Sequence, residues 1–355
     1  MRRDVDSMPP REGARLPRPA RSPRVRRTGR HRGARHGMKA IVQDRYGHAE
    51  SLKLADVETP VPDATSVLLR VRSASVNSLD WRIMSGRPFI GRLLGFGLTK
   101  PKRRVRGVDV AGEVLAVRKS DSRFKVGDAV YGLGSGTFAE YVAADERELA
   151  KKPNGVTYDD AATLGIAGTT ALQALRDRGH VQRDQSVAIT GASSGVGTFA
   201  VQLAKGMGAR VTAVTWTDNV ELLRSVGADA VVDYAKADFT RGPDRFDVIC
   251  DISGRNGLGA LLRTLKPGGR LVCVGGRGGF GRFLQAGLRR RLLRQPVWGL
   301  LAKPNVDDLA RMGDLVLQGS VKPVVDRVYS LPEAPEAMAR AELRRARGKL
   351  VIHVS

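Results

Sequence analysis

The clearest chemistry in the chain lies in residues 186–205, Ser-Val-Ala-Ile-Thr-Gly-Ala-Ser-Ser-Gly-Val-Gly-Thr-Phe-Ala-Val-Gln-Leu-Ala-Lys. An apolar run of strand type enters a glycine turn and leaves with helical periodicity. The turn comprises Gly191, Ala192, Ser193, Ser194, Gly195, Val196 and Gly197. A strand that passes abruptly into a helix aims unpaired backbone N–H groups and the positive end of the helix dipole at one point, where a pyrophosphate binds. Glycine permits the tight turn, the approach of the phosphate and the contact between helix and strand. The spacing departs from Gly-x-Gly-x-x-Gly. The weight of the motif therefore lies in its setting, with a strand before it and a helix after it.

The end of the second strand decides which dinucleotide fits. An acid there binds the ribose 2′-hydroxyl of NAD, and a basic neighbour without that acid favours NADP. The strand Arg-Val-Thr-Ala-Val-Thr ends at Thr215 and is followed by Trp216, Thr217 and Asp218. Asp218 begins Asp-Asn-Val-Glu. That is either a capping pattern with Glu221 or a ribose ligand set late. Tyr234 and Lys236, after the third strand, are placed to reach a 2′-phosphate. NADP(H) is favoured on this reading, with NAD(H) possible.

The flanking elements must hold this turn. From residue 38 to about 153 the chain shows short alternating or apolar runs punctuated by Gly, Pro and Asp, the pattern of a β domain. Residues 159–177 read as helical. Strands at 187–190, 210–215, 230–233, 246–251 and 270–274 then alternate with helices at 197–207, 219–226 and 258–265. This predicts an α/β unit with a parallel sheet. A helix at 306–319 and a closing strand are expected to return to the β domain. The expected division is a tail at 1–37, a β domain at 38–155 completed by 305–355, and a dinucleotide domain at 156–304.

Composition narrows the class. The 355 residues carry a formal charge of +24, which first suggests nucleic acid or an acidic surface. Residues 1–37 hold 12 Arg and 3 acidic residues, and their scarcity of apolar side chains predicts a disordered Arg-rich tail. Aromatic residues are only 5%, too few for a base-stacking surface. No apolar run approaches the ~20 residues of a membrane helix. Cys250 and Cys273 sit in strand-like runs and read as buried thiols of a reducing cytoplasm. The basic, apolar-interleaved stretch 282–304 fits a lid helix, a solvated basic face or a membrane-surface helix.

The turn also suits short-chain dehydrogenases, but those need a Tyr-x-x-x-Lys pair, and none of the six tyrosines has a lysine four positions later. Blocks in order, including "VNSLDWRIMSGRP", "RGVDVAGEV", "FKVGDAVYG", "AATLGIAGTTALQAL", "GASSGVGTFAVQLAKGMGA", "LKPGGRLV" and "RGKLVI", give residues 38–355 a close resemblance to the medium-chain dehydrogenase/reductase superfamily. Within it the chain is most similar to zinc-independent quinone-oxidoreductase-like proteins, including the reticulon-interacting branch. The resemblance implies a GroES-like β domain plus a Rossmann domain, with the active site between them. Zinc-dependent relatives have Cys where this chain has Asn77, and His where it has Val108. Neither replaces those ligands well, so no metal is expected.

The resemblance carries residues over one at a time. Asn77 and Asp80 match an Asn-x-x-Asp pair lining the nicotinamide pocket, although Asp80 also suits a helix brace. Thr170 matches a threonine at the nicotinamide ribose, although a hydroxyl bonded to its own helix is the plain alternative. Ser253, Val274, Gly275 and Gly276 end Rossmann strands beside the nicotinamide half. Lys349 is expected either in the cofactor cleft or as a surface charge. Arg82 stands where many quinone reductases have a tyrosine, leaving the proton source open. Without a Lewis acid, a conjugated carbonyl or quinone is easier to reduce than a simple ketone. The expected activity is direct hydride transfer from NAD(P)H to quinones or α,β-unsaturated carbonyls. A metal-free alcohol dehydrogenase and a non-catalytic nucleotide- or RNA-binding protein are the alternatives. A small lipophilic carbonyl or quinone substrate and a second copy of the chain, as a homodimer, are the expected partners.

Overall fold

A computed structural model of the chain describes residues 37–355 except 88, 90, 91, 93–96, 276–278, 293 and 345. The expected tail, apart from Gly37, lies outside the described residues, as does Gly276.

The first half is built of short strands: β1 (Gly37–Gln43), β2 (Leu52–Glu58), β3 (Ser66–Val76), β4 (Asp109–Ala116), β5 (Ala129–Leu133), β6 (Tyr141–Asp145) and β7 (Leu149–Lys151), with helix α1 (Ser78–Ser85) after β3. Residues 158–179 are not one uniform helix. They run as α2 (Tyr158–Ala162), a π turn (Leu164–Gly168), α3 (Thr169–Gln173) and a second π turn (Ala174–Gly179). The alternating half follows: β8 (Ser186–Thr190), α4 (Gly195–Gly206), β9 (Arg210–Thr215), α5 (Val220–Ser225), β10 (Ala230–Asp233), β11 (Phe246–Asp251), α6 (Leu258–Arg263), β12 (Leu265–Cys273), α7 (Gly279–Leu292) and β13 (Val297–Gly299). α8 (Val306–Leu317), β14 (Val325–Ser330), α9 (Ala334–Glu342) and β15 (Lys349–His353) close the chain.

Strands β8 to β13 form a six-stranded sheet in the order β10-β9-β8-β11-β12-β13, with every pairing parallel. Both faces of its centre are apolar. Val187 and Ile189 of β8 join one buried cluster, and Ala188 between them joins the other. This two-sided burial is the signature of a parallel sheet covered by helices. The second sheet runs β14-β15-β3-β4-β5-β7, with β6 also paired to β3. Its core holds Leu69, Val110, Phe138, Leu149 and Ile352. The fold is therefore α/β, a GroES-like, mainly antiparallel unit with one parallel pair (β14–β15) joined to a Rossmann parallel sheet. β15 lies antiparallel to β3, which places Lys349 beside the entry to α1.

Candidate active site

The glycine turn forms where the Rossmann pattern requires it. Gly191 leaves β8 with φ +67°, a conformation other residues adopt only with strain. Gly197 answers to space: a Cβ there would lie 2.3 Å from the Gly191 carbonyl oxygen. Ser194 needs no such freedom. It caps α4, its Oγ accepting from Gly197 N at 3.1 Å. A serine there stabilises the helix end that faces the phosphate. Ala192 is buried under the turn. Ser193 accepts from Gly348 N at 2.8 Å through its carbonyl, and its Oγ accepts from Asn219 Nδ2 at 3.2 Å. Val196 packs against the core.

Buried polar atoms without protein partners lie beside the turn. Thr215 Oγ1 at the end of β9 and Asn219 Oδ1 beside Ser193 have no hydrogen bond. A buried hydroxyl or amide oxygen left unpaired costs about 1–3 kcal/mol, which a bound ribose or phosphate can relieve. Together with the close turn at Gly197, these atoms fit a dinucleotide. Asp218 does not cap α5. The N-cap is Asn219, and the Asp218 carboxylate instead faces Arg347 at 4.0 Å. The short helical turn Thr217–Asn219 carries Asp218 past the cap position, so the capping reading is corrected. Thr217 donates to Asp233 at 2.6 Å. Tyr234 has the Arg255 guanidinium 4.1 Å from its ring centre and Trp216 at 5.5 Å. Lys236 faces Asp233 at 4.0 Å.

Beyond the ends of β8 and β11, Ser253 Oγ donates to Thr190 Oγ1 at 3.0 Å, and Thr190 in turn donates to Asp251 at 2.6 Å. The buried Asp251 pairs with Arg282 of α7. Val274 N donates to the Asp251 carbonyl at 3.0 Å, and Gly275, at φ +154°, opens onto unfilled space. Farther along α7, Leu284, Leu288 and Leu292 are exposed.

The densest polar cluster lies beneath this turn, in the other half of the molecule. Asp109, fully buried at the start of β4, accepts at Oδ2 from Ser75 Oγ (2.7 Å), Asn77 Nδ2 (2.8 Å) and Lys349 Nζ (3.2 Å). Its Oδ1 accepts from Ile166 N at 2.9 Å. Lys349 is only 2% exposed, so it is not a surface charge. Its ammonium also donates to Asn77 Oδ1 (2.6 Å) and the Val76 carbonyl (3.1 Å), so all three donors are used. Its stem lies across Gly195, where a Cβ would come within 2.7 Å of Lys349 Cδ. The π turn explains the Ile166 bond. It turns an N–H toward Asp109 and depends on Gly165, where a Cβ would meet Asp109 Oδ1 at 2.5 Å. Thr170 follows on the same segment. Its neighbour Thr169 makes the helix back-bond, to Gly165 O, while the Thr170 hydroxyl has no protein partner among the described residues.

Asp80 has the helix-bracing role. As the third residue of α1 it braces the helix start, accepting from Asn77 N at 2.8 Å. It also lines a cavity of about 200 Å³ with Ile83, Arg103, Arg106 and Val108. Burial raises its carboxyl to about 7, against the lowering effect of the Asn77 N–H, and the nearby Asp109 pushes the same way. The structure thus gathers Asn77, Asp80 and Lys349 into one constellation, and places Tyr234, Thr217 and Asp218 away from it, beyond the ends of β9 and β10. Ser75, Asp109 and Arg106 escape a motif reading. Their signal is a charged or polar residue inside otherwise apolar runs, such as Asp109 within Val-Asp-Val-Ala.

A parallel sheet with a glycine turn, joined to a GroES-like sheet that buries a titratable carboxyl, defines an oxidoreductase class built for a nicotinamide dinucleotide. Residues 63–154 match the alcohol dehydrogenase GroES-like domain, and residues 226–352 match the family described as zinc-binding dehydrogenase. The chain is 32% identical over 331 residues to a chloroplast envelope quinone oxidoreductase homolog of Arabidopsis thaliana, covering 89% of this chain and 98% of that protein. A chloroplastic NADPH-dependent alkenal/one oxidoreductase of the same plant is 31% identical, with 89% and 79% covered. The solved quinone oxidoreductase of Coxiella burnetii aligns with a TM-score of 0.81 at 30% identity, covering 90% of this chain and 100% of that one. The chain belongs to the medium-chain dehydrogenase/reductase superfamily, in its quinone-oxidoreductase-like branch.

Proposed function

We propose that the protein is an NAD(P)H-dependent reductase of quinones and α,β-unsaturated carbonyls. It works between a GroES-like part (38–155 with 305–355) and a Rossmann part (156–304). The observation that carries this reading is the junction at β15. Gly348 is bonded to the phosphate turn, and the next residue, Lys349, reaches the Asn77–Asp109 cluster beside the Asp80 cavity. One rigid pair therefore links the pyrophosphate site to the wall of the substrate site.

The nicotinamide, when bound, supplies the hydride that forms a C–H bond at the carbon β to the carbonyl. The chain's own residues do the rest. The turn from Gly191 to Gly197 and the cap Ser194 hold the pyrophosphate. Thr215, Asn219 and Thr170 offer polar atoms to the riboses, and Ser253, Val274 and Gly275 border the nicotinamide half. Asp80, protonated below about pH 7, delivers the proton to the α carbon or the quinone oxygen. Asn77, with both ends of its amide engaged, acts as a positioning residue together with Asp109 and Lys349. No metal enters this scheme: Val108 has no donor atom, and Asn77 is committed to Lys349 and Asp109.

NADP(H) is the favoured form. Arg347 offsets Asp218, and Lys236 and Arg255 border the ribose end as cations for a 2′-phosphate. A cytoplasmic setting agrees with Cys250 and Cys273, which are buried and free. A homodimer agrees with β13 closing the parallel sheet as an outer strand. The test is oxidation of NADPH and NADH by purified protein against a quinone, an enone and a simple ketone, with and without a chelator. Turnover of the first two acceptors in chelator, preferring NADPH, is expected. Reduction of the ketone alone, lost in chelator and restored by zinc, would overturn the proposal.

A further inference from the structure

The cavity beside Asp80 has an unusual lining for a lipophilic substrate. Lys102, Arg103 and Arg106 contribute three cations, and Asp80 is the only acid among the lining residues. Lys102 and Arg103 lie at the exposed mouth. Arg106 does not. It is 4% exposed, and its Nε is buried with no acceptor. Asp80 and Tyr46 are near enough to act on its charge, but neither forms a hydrogen bond or ion pair with the guanidinium among the described residues. Its backbone is fixed: Arg106 N donates to the Ile41 carbonyl at 3.1 Å, and its own carbonyl accepts from Phe138 N at 2.9 Å. The next residue, Gly107, sits at φ +101°, with no room for a Cβ beside Thr137. The cation is therefore held at the cavity wall by backbone that cannot easily turn away.

A buried guanidinium N–H without an acceptor is costly, and guanidinium geometry matches a carboxylate in a two-bond fork. Resting on the reductase reading above, we infer that the substrate carries a carboxylate, which Arg106 binds while the enone lies toward Asp80 and the nicotinamide site. A compact monoanion fits better than a phosphate, because Asp80 shares the wall and a dianion would meet its carboxylate form. In the reaction, hydride bonds to one alkene carbon, a proton bonds to the other, and the C=C double bond becomes single. The carboxylate is unchanged.

The test compares 4-oxopent-2-enoate with its methyl ester, two enones that differ in this charge. The expected result is a kcat/KM for the acid at least ~10-fold above that for the ester. Arg106→Met should bring the ratio to about one by raising KM for the acid, with Arg106→Lys intermediate. In the unaltered protein, 4-oxopentanoate should inhibit competitively with the enone, more strongly than its methyl ester and than inorganic phosphate. A wild-type ratio at or below one, an unchanged ratio in Arg106→Met, or stronger inhibition by phosphate would overturn the inference and leave the reductase reading intact. If Arg106→Met does not fold, Arg106→Lys and the inhibition series decide. If no acceptor is reduced, the reductase reading fails. Calorimetric titration of the nucleotide-bound protein with 4-oxopentanoate and its ester then decides the inference alone.

Discussion

Asp80 and the Lys349–Asp109 pair carry the residue-scale argument, and they do different work. Asp80 is buried with a carboxyl raised to about 7, whereas an unfolded chain would titrate near 3.8. Because the folded state holds this proton more tightly, its contribution to stability is full below the unfolded value. It is lost as pH rises from about 4 through about 7. In the proposed role of proton donor, Asp80 should also make enone reduction fall with rising pH above about 7. Asp80→Asn keeps an acceptor for the Asn77 N–H, so it should fold. It should lower kcat by about 10²-fold and remove the pH-dependent limb, checked by a pH–rate profile alongside thermal melts across the same range. An unchanged limb would assign the proton to another group. Lys349→Met leaves Asp109 buried without its cation. It should destabilise the protein by about 3–5 kcal/mol in denaturant unfolding, a loss too large for a surface charge. None of this was legible at Asp109, because one acid in an apolar strand has no spacing to announce it. Asn77 and Asp80 were legible as a pair only through the family resemblance, which supplies the Asn-x-x-Asp match.

At the scale of elements, the strand–turn–helix unit around Gly191–Gly197 follows from the sequence almost residue for residue. Apolar runs and glycines are local signals, and the parallel sheet only extends them. The segment 158–179 does not follow in the same way. Its apolar period reads as helix, and helix it mostly is, but two π turns interrupt it. The first has a tertiary cause: Asp109, from a strand 57 residues earlier, claims the Ile166 N–H. Gly165→Ala would place a methyl 2.5 Å from Asp109 Oδ1. It should cost about 1–3 kcal/mol in unfolding free energy and lower activity together with it, whereas a glycine that served only flexibility would tolerate alanine. Gly197→Ala tests the other element. A Cβ 2.3 Å from backbone oxygen must push α4 off β8, so nucleotide affinity measured by fluorescence titration should fall at least about tenfold. The cap position misled the reading of Asp218 for a related reason. One extra helical turn after β9 shifts the helix start by a residue, and sequence patterns place helix ends least well.

For the whole molecule, function depends on two sheets meeting at one strand. β15 pairs antiparallel with β3 of the GroES-like sheet, while Gly348, one residue before it, bonds to the glycine turn after β8. The sequence pattern yields both architectures and the family resemblance, but not the contact that aligns them, because long-range pairing leaves no periodic trace. Discrimination between nucleotides belongs to this scale, since its cations come from different elements. Arg255→Ala and Lys236→Ala should each reduce the NADPH-over-NADH ratio of kcat/KM, and Asp218→Ala should not. The central claim is direct hydride transfer to a conjugated acceptor, and isotope tracing tests it most directly. NADPH carrying deuterium at the transferable position is incubated with an enone in ordinary water, and the product is read by mass spectrometry and NMR. The account predicts a saturated ketone with one deuterium at the carbon β to the carbonyl. An allylic alcohol, or a saturated ketone without deuterium, would contradict it.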